Sequence, residues 1–176
     1  DFPNVTLVGV LSADLALNFP DIRSSERTFQ LLTQVAGRSG RGAKAGQVII
    51  QSYDPSHFSI QAAQNHDYHD FYRKEIGFRR QLRYPPFSEL VRILCSGPQG
   101  ATQEAAQRIH SFFLGQGFPK EDILGPQMAP IGRIQGRYRW QILLRSATVP
   151  VEVLKNMPGV PDEVQVTIDI DPLYML

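Results

Sequence analysis

The run Val5-Thr6-Leu7-Val8-Gly9-Val10 constrains this chain more than any other segment. It is too short for a buried helix and lacks the apolar–polar alternation of a strand with one wet face. It therefore predicts a strand covered on both sides, as inside a parallel sheet. Asp14 to Arg23, with Pro20 and Asp21, is expected to be a loop. Ser24 and Ser25 are N-cap candidates, and Glu26 falls where it complements a helix dipole. Phe29, Leu32, Val35 and Ala36 then recur at helical spacing, and Gly37, Gly40 and Gly42 end that helix. Gln47 to Tyr53 predicts a second strand, so the order to this point is strand, loop, helix, strand: one crossover unit of an α/β sheet. Two strands do not make an open sheet. With Asp1 rather than Met in first place, the chain is expected to be a piece of a longer one.

Helical stretches are predicted from Asp54-Pro55-Ser56 to about Asn65 and from Asp67 to Arg83. Tyr84-Pro85-Pro86-Phe87 stops the second, since neither proline donates to a helix ladder. A domain boundary is expected there. Beyond it come a strand over Ser88–Ser96, an amphipathic helix over Ala101–Gly115, and a strand over Ile123–Arg133 interrupted by Pro126 and Pro130. Gln135-Gly136 reads as a hairpin turn, followed by a return strand over Arg137–Ser146. A short helix over Val149–Asn156 and an alternating strand over Val164–Ile170 complete a β-α-β-β-α-β order. That is the split βαβ arrangement of ferredoxin-like folds, which host many unrelated functions.

Composition narrows the function classes. The net charge is only +1, so a nucleic-acid surface has to be a local patch. With 42% hydrophobic residues the chain is not disordered, and its longest apolar run is far short of the roughly 20 residues that span a bilayer. No signal peptide precedes the first strand, and the single cysteine, Cys95, excludes an intrachain disulfide or a cysteine cluster for zinc. A soluble, cytoplasmic protein is expected. Cys95 reads as a buried small hydrophobe.

Chemistry concentrates in Gln34-Val35-Ala36-Gly37-Arg38-Ser39-Gly40-Arg41-Gly42. Arg38 and Arg41, three apart at a helix end, project to similar sides, and the glycines leave their guanidinium groups unshielded. Planar forks of this kind bind phosphate oxygens bidentately. The plainer alternative is an exposed helix end whose arginines complement the dipole. Gln34 at motif spacing and the strand that follows favour the phosphate reading.

Gln-x-x-Gly-Arg-x-Gly-Arg resembles the sixth signature motif of superfamily 2 helicases. The wider strings Asp1–Thr6, Ser12–Leu15 and Gln34–Arg38 resemble the primosomal protein N′ (PriA) family of bacterial replication-restart helicases. Phe78 to Phe87, Gly136 to Gln141 and Asp169 to Pro172 resemble its C-terminal domain. The resemblance implies a partial RecA-like helicase lobe 2 over residues 1–60, a helical connector over 61–84, and an α+β ferredoxin-like C-terminal domain over 85–176. It implies ATP with Mg²⁺ as the whole protein's cofactor, bound by a first lobe that this sequence lacks. Zinc would belong to a cysteine-rich module that is also absent. Gln34, Gly37, Arg38 and Arg41 would face the nucleotide, with Arg41 as arginine finger and Arg38 in support. Asp14 would lie near the motif that couples nucleotide to DNA. The chain by itself is expected to be inactive as an ATPase. Implied partners are forked and single-stranded DNA, single-stranded-DNA-binding protein and other primosome proteins, with no membrane.

Two basic clusters stand against the neutral total. One holds Arg73, Lys74, Arg79, Arg80 and Arg83 among Tyr72, Phe78 and Tyr84. The other holds Arg133, Arg137, Arg139 and Arg145 around the hairpin, with no acid from Arg133 to Arg145. Alternation puts Arg137, Arg139 and Gln141 on one strand face and Tyr138 and Trp140 on the other. Arginine with aromatics suits a surface that tracks phosphates and stacks bases; the alternative is a solvated face above core aromatics. Arg133, Arg137, Arg139, Arg79 and Arg80 are the candidate DNA contacts, and Trp140 is expected in the core. His66-Asp67-Tyr68-His69-Asp70 reads as a polar helix junction rather than a metal site, and Asp169 and Asp171 as strand-end charges. Two other functions fit the same order: a free-standing RNA-binding module of RRM type, and a protein-docking platform. No RRM aromatic signature is present in the first strand pair.

Overall fold

The computed structural model describes residues 5–37, 46–172 and 174. The chain divides into two compact units, Asp1–Phe78 and Arg79–Leu176.

In the first unit, strands β1 (Leu7–Val10) and β2 (Gln47–Ile50) pair in parallel, Leu7 opposite Gln47 and Val10 opposite Ile50. Between them run the short helix α1 (Asp14–Leu17) and the longer α2 (Ser24–Ala36), and α3 (Phe58–Gln64) and α4 (Tyr68–Leu82) follow. The core joins Ala13, Phe29 and Leu32 to Ile60, Ala62, Ala63 and Phe71, with Val10 and Ile50 packed against it. Phe29 and Phe71 stack with centroids 4.3 Å apart. Only one strand face is covered this way: Leu7 and Ile49 are exposed. The uniform apolar run thus does not produce a strand buried on both sides among the described residues. Two other details differ from expectation. Asp14 opens a helix instead of a loop, and α2 starts at Ser24 behind an Arg23 N-cap, with no serine side chain capping it. The buried Asp21 carboxylate accepts from the Arg23 N–H at 2.9 Å and pairs with Arg27, so the start of α2 is anchored from three residues upstream. His57 caps α3 by accepting from the Ser59 N–H through Nδ1.

The second unit has the expected order: β3 (Glu89–Gly97), α5 (Gln99–Gly115), β4 (Ile123–Ile134), β5 (Arg137–Ser146), α6 (Val151–Lys155) and β6 (Gln165–Ile170). The four strands form an antiparallel sheet in the order β4-β5-β3-β6. This is a mixed α/β unit consistent with a ferredoxin-like domain. Its core sets Val91, Ile93, Cys95, Ile142 and Leu144 against Ala105, Ile109 and Phe113 of α5. Trp140 lies on that side, half-buried and packed against the cluster. The β4–β5 register slips between Leu124 and Gln127 and again between Met128 and Arg133. Pro126 and Pro130 fall in those gaps, as residues without an N–H must. Gln135 and Gly136 both take positive φ, 49° and 82°, the conformation of a tight two-residue hairpin turn.

Cys95 is fully buried, and burial pushes its thiol up to about 11. The native chain is expected to resist a chromogenic thiol reagent at pH 8 and to react only as it unfolds, since the thiolate is the nucleophile. Rapid labelling of the folded chain would contradict this placement.

Candidate nucleic-acid interface

The proposed phosphate-facing motif begins on the last turn of α2. Gln34 is exposed there, and Gly37 forms the C-cap with its N–H on the Thr33 carbonyl at 3.0 Å. Arg38 and Arg41 lie outside the described residues. Asp14 has a visible structural task. Its buried carboxylate accepts from Ser52 Oγ at 2.8 Å and from the Tyr53 N–H at 3.1 and 3.2 Å, closing the turn after β2 onto α1. Burial opposes its charge, but these hydrogen bonds outweigh it and hold the carboxyl below its ordinary value.

The hairpin arginines divide into separate roles. Arg133 is exposed, its guanidinium carbon 5.1 Å from the centre of the Tyr138 ring. Arg137 is exposed at the other end of the turn. Its Nη2 donates to the carbonyls of Ser96 at 2.6 Å and Glu163 at 3.1 Å, and its Nε donates to Ser96 Oγ. Those bonds leave Nη1 unused and hold the fork in place. Arg139, expected on a solvated face, is only 9% exposed and donates to the Ile131 carbonyl at 3.2 Å. The alternation of β5 is as expected, but the second sheet face is itself buried. Leu90, Arg92, Leu94, Gln141 and Leu143 are buried on it with Arg139. Arg139 therefore positions the irregular part of β4 and is withdrawn from any phosphate at the surface.

Arg145 is likewise committed within the fold. It donates to the carbonyls of Leu82 and Glu121 and lies 3.5 Å from the buried Asp122 carboxylate, which Arg83 also meets at 2.8 Å. Asp122 was not singled out by sequence reasoning, because this counter-ion precedes the hairpin and is not inside it. Arg92 was missed too. Nothing in an alternating strand marks one arginine as buried, yet Arg92 donates to the Tyr174 carbonyl at 2.8 Å and pairs in register with Asp169. Of the first basic cluster, Arg79 Nη1 reaches the Pro85 carbonyl at 3.5 Å, and Arg80 sits 5.0 Å over the Phe87 ring. Arg73 and Lys74 both bind Asp70. Among the described residues no group of three His, Cys, Asp or Glu side chains comes together as a metal-donor set, so the residues present do not fit zinc. Nor is any described helix long and apolar enough to cross a membrane.

The α/β unit with its arginine-rimmed hairpin thus defines a compact domain that presents Arg133 beside the Tyr138 ring and, separately, an Arg137 guanidinium held by Ser96 and Glu163. Comparison with known proteins identifies its kind. The family model for the primosomal protein N C-terminal domain matches residues 80–173. Replication restart protein PriA of Bacillus subtilis (strain 168) is 43% identical over 185 aligned residues, which take in 100% of this chain and 23% of the relative. The proteins of that name from Synechocystis and Treponema pallidum are 45% and 38% identical, covering 98% and 100% of this chain. The chain belongs to the primosomal protein N (PriA) family. It spans between 21% and 28% of the length of these relatives.

Proposed function

We propose that this chain works as the C-terminal part of an ATP-dependent DNA helicase for replication restart in the bacterial cytoplasm. In this reading residues 1–60 close a RecA-like second motor lobe, 61–84 connect, and 85–176 hold DNA. The observation that carries it is similarity along the whole chain, motif region included, to replication restart proteins. Gln34, Arg38 and Arg41 supply amide and guanidinium donors suited to the phosphate oxygens of ATP. When bound with Mg²⁺, ATP supplies the phosphoryl transfer that drives the motor. Arg41 is the finger and Arg38 its support. Asp14, tied to Ser52 and Tyr53, keeps the segment after β2 in step with the start of α1.

DNA is held through Arg133 and Arg137, with Arg79 and Arg80 as a second contact; Arg139 positions the hairpin. Forked and single-stranded DNA are the substrates, and single-stranded-DNA-binding protein and primosome proteins are the partners. An RRM-type role is disfavoured, because such modules read bases with aromatics exposed on the sheet face. Here the centre of that face is Arg92, Leu94, Gln141 and Leu143, all buried.

Fluorescence anisotropy over a salt series, with forked DNA, single strands and an RNA hairpin, tests the reading. Forked DNA is expected to bind with a steep negative salt slope. Replacing Arg133 and Arg137 together by alanine should lower that slope by about 1–2. Indifference to all three nucleic acids would leave only a protein-docking role.

A further inference from the structure

The sequence treats the two edges of the four-stranded sheet differently. At one edge β4 carries Pro126 and Pro130 and shifts register twice. Prolines and irregularities of this kind keep an edge from pairing with a foreign strand. At the other edge β6 has no proline, no lysine and an unbroken register with β3 from Gln165 to Ile170. Nothing among the described residues pairs with its outer side. The Asp171 N–H donates inward to the Leu90 carbonyl at 2.7 Å, so strand alternation turns the N–H and C=O groups of Val166, Ile168 and Ile170 outward. The side chains of Ile168 and Ile170 lie on the core face, opposite Ile93 and Val91, yet are 39% and 52% exposed. A groove of about 510 Å³ wraps this edge, lined by Ile168 and Ile170 from one face and by Asp169 from the other. After Lys155 the sequence holds Asp162, Glu163, Asp169 and Asp171 and no Lys, Arg or His. Arg92, which also lines the groove, is buried and donates to the Tyr174 carbonyl. Carboxylates are crowded here: a hydrogen bond with Asp171 and the charge beside it hold the Glu89 carboxyl above its ordinary value.

We propose that β6 accepts an extended segment of a partner protein as a fifth strand, a segment in which apolar residues alternate with lysine or arginine. Its main chain bonds to Val166, Ile168 and Ile170, its apolar side chains cover Ile168 and Ile170, and its cations stand opposite Thr167 and Asp169. In strand addition the main-chain bonds supply affinity and the alternating side chains supply selectivity. Charge decides the occupant. A second copy pairing β6 to β6 would bring Asp162, Glu163, Asp169 and Asp171 of both copies to one seam, and DNA phosphates would be repelled by the same carboxylates. The inference does not depend on the DNA-contact reading, which uses the β4–β5 hairpin.

The test follows amide hydrogen exchange by NMR in the 176-residue chain. The probe is an end-blocked peptide alternating valine and lysine over about six residues, the length of an ordinary strand. In the chain alone, the amides of Val166, Ile168 and Ile170 should exchange fast and those of Thr167 and Asp169, which face β3, slowly. Peptide at about ten times its Kd should slow the three outward amides on the order of tenfold and leave the inner two as they were. Ile168→Lys, which places a charge on the open edge, should raise the Kd on the order of tenfold, and Asp162→Lys with Glu163→Lys should raise it as well. Circular dichroism checks that these exposed replacements leave the fold intact. A valine–glutamate peptide should give no protection. Outward amides left unslowed by the valine–lysine peptide, or slowed equally by the glutamate peptide, would overturn the proposal. So would protection that rises with the concentration of the chain alone, which would make a second copy the occupant.

Discussion

Arg41→Ala is expected to lower ATP turnover by about 10³-fold in the complete helicase, with the KM for ATP changed much less. A finger arginine meets charge that develops on the transferring phosphoryl group, so its removal costs transition-state stabilisation that the ground state never had. Arg38, nearer the end of α2, should show a smaller loss in turnover and a larger share in ATP affinity. Steady-state kinetics of both variants on forked DNA would separate them. An equal loss for Arg38→Ala with none for Arg41→Ala would exchange the two roles.

Phe113→Ala is expected to cost the C-terminal unit about 3–5 kcal/mol of stability, read from the midpoint of chemical denaturation. Phe113 is fully buried beneath the sheet and meets Phe112 and Phe118 edge to face, each with centroids 5.4 Å apart. Truncation removes the transfer free energy of the ring and leaves a cavity walled by Ala105, Ile109 and the strand side chains, which helix and sheet cannot both close. Phe113→Leu should cost less than half as much. A loss below about 1 kcal/mol for the alanine variant would mean that the helix does not sit on the sheet as described.

Much of this fold was legible because the two periods speak clearly in the second unit. The alternation of β5 placed Trp140 on the core side, the 3.6 spacing of α5 placed Ala105, Ile109 and Phe113 inward, and Gln135-Gly136 marked the turn to the residue. Alternation says which residues share a face, however, and not whether that face is wet. Arg139 was misjudged for that reason. The shifted register around Pro126 and Pro130 lets β4 leave the ladder, and the Ile131 carbonyl then meets Arg139 on a face where Arg92 and Gln141 are buried too. The first unit shows the opposite failure. Val5 to Val10 is apolar throughout except for Thr6 and Gly9, and it predicted cover on two sides, but the described helices lie on one. The start of α2 went wrong more locally: Ser24 and Ser25, three and four residues further on, were preferred to Asp21, whose reach depends on the turn through Phe19 and Pro20. The arginine motif rests on spacing, since glycines interrupt every periodic signal around Arg38 and Arg41, and those two residues lie outside the described ones.

The most direct measurement of the central proposal is a segment exchange with the Bacillus subtilis relative, which aligns with this chain from end to end. The corresponding segment of that protein is replaced by this chain, and DNA-stimulated ATP turnover is measured on forked DNA, with folding checked by circular dichroism. The account predicts that the chimera keeps DNA-stimulated turnover, and that Arg41→Ala within it abolishes most of that turnover without unfolding it. A folded chimera whose turnover is indifferent to DNA, or is untouched by Arg41→Ala, would contradict it.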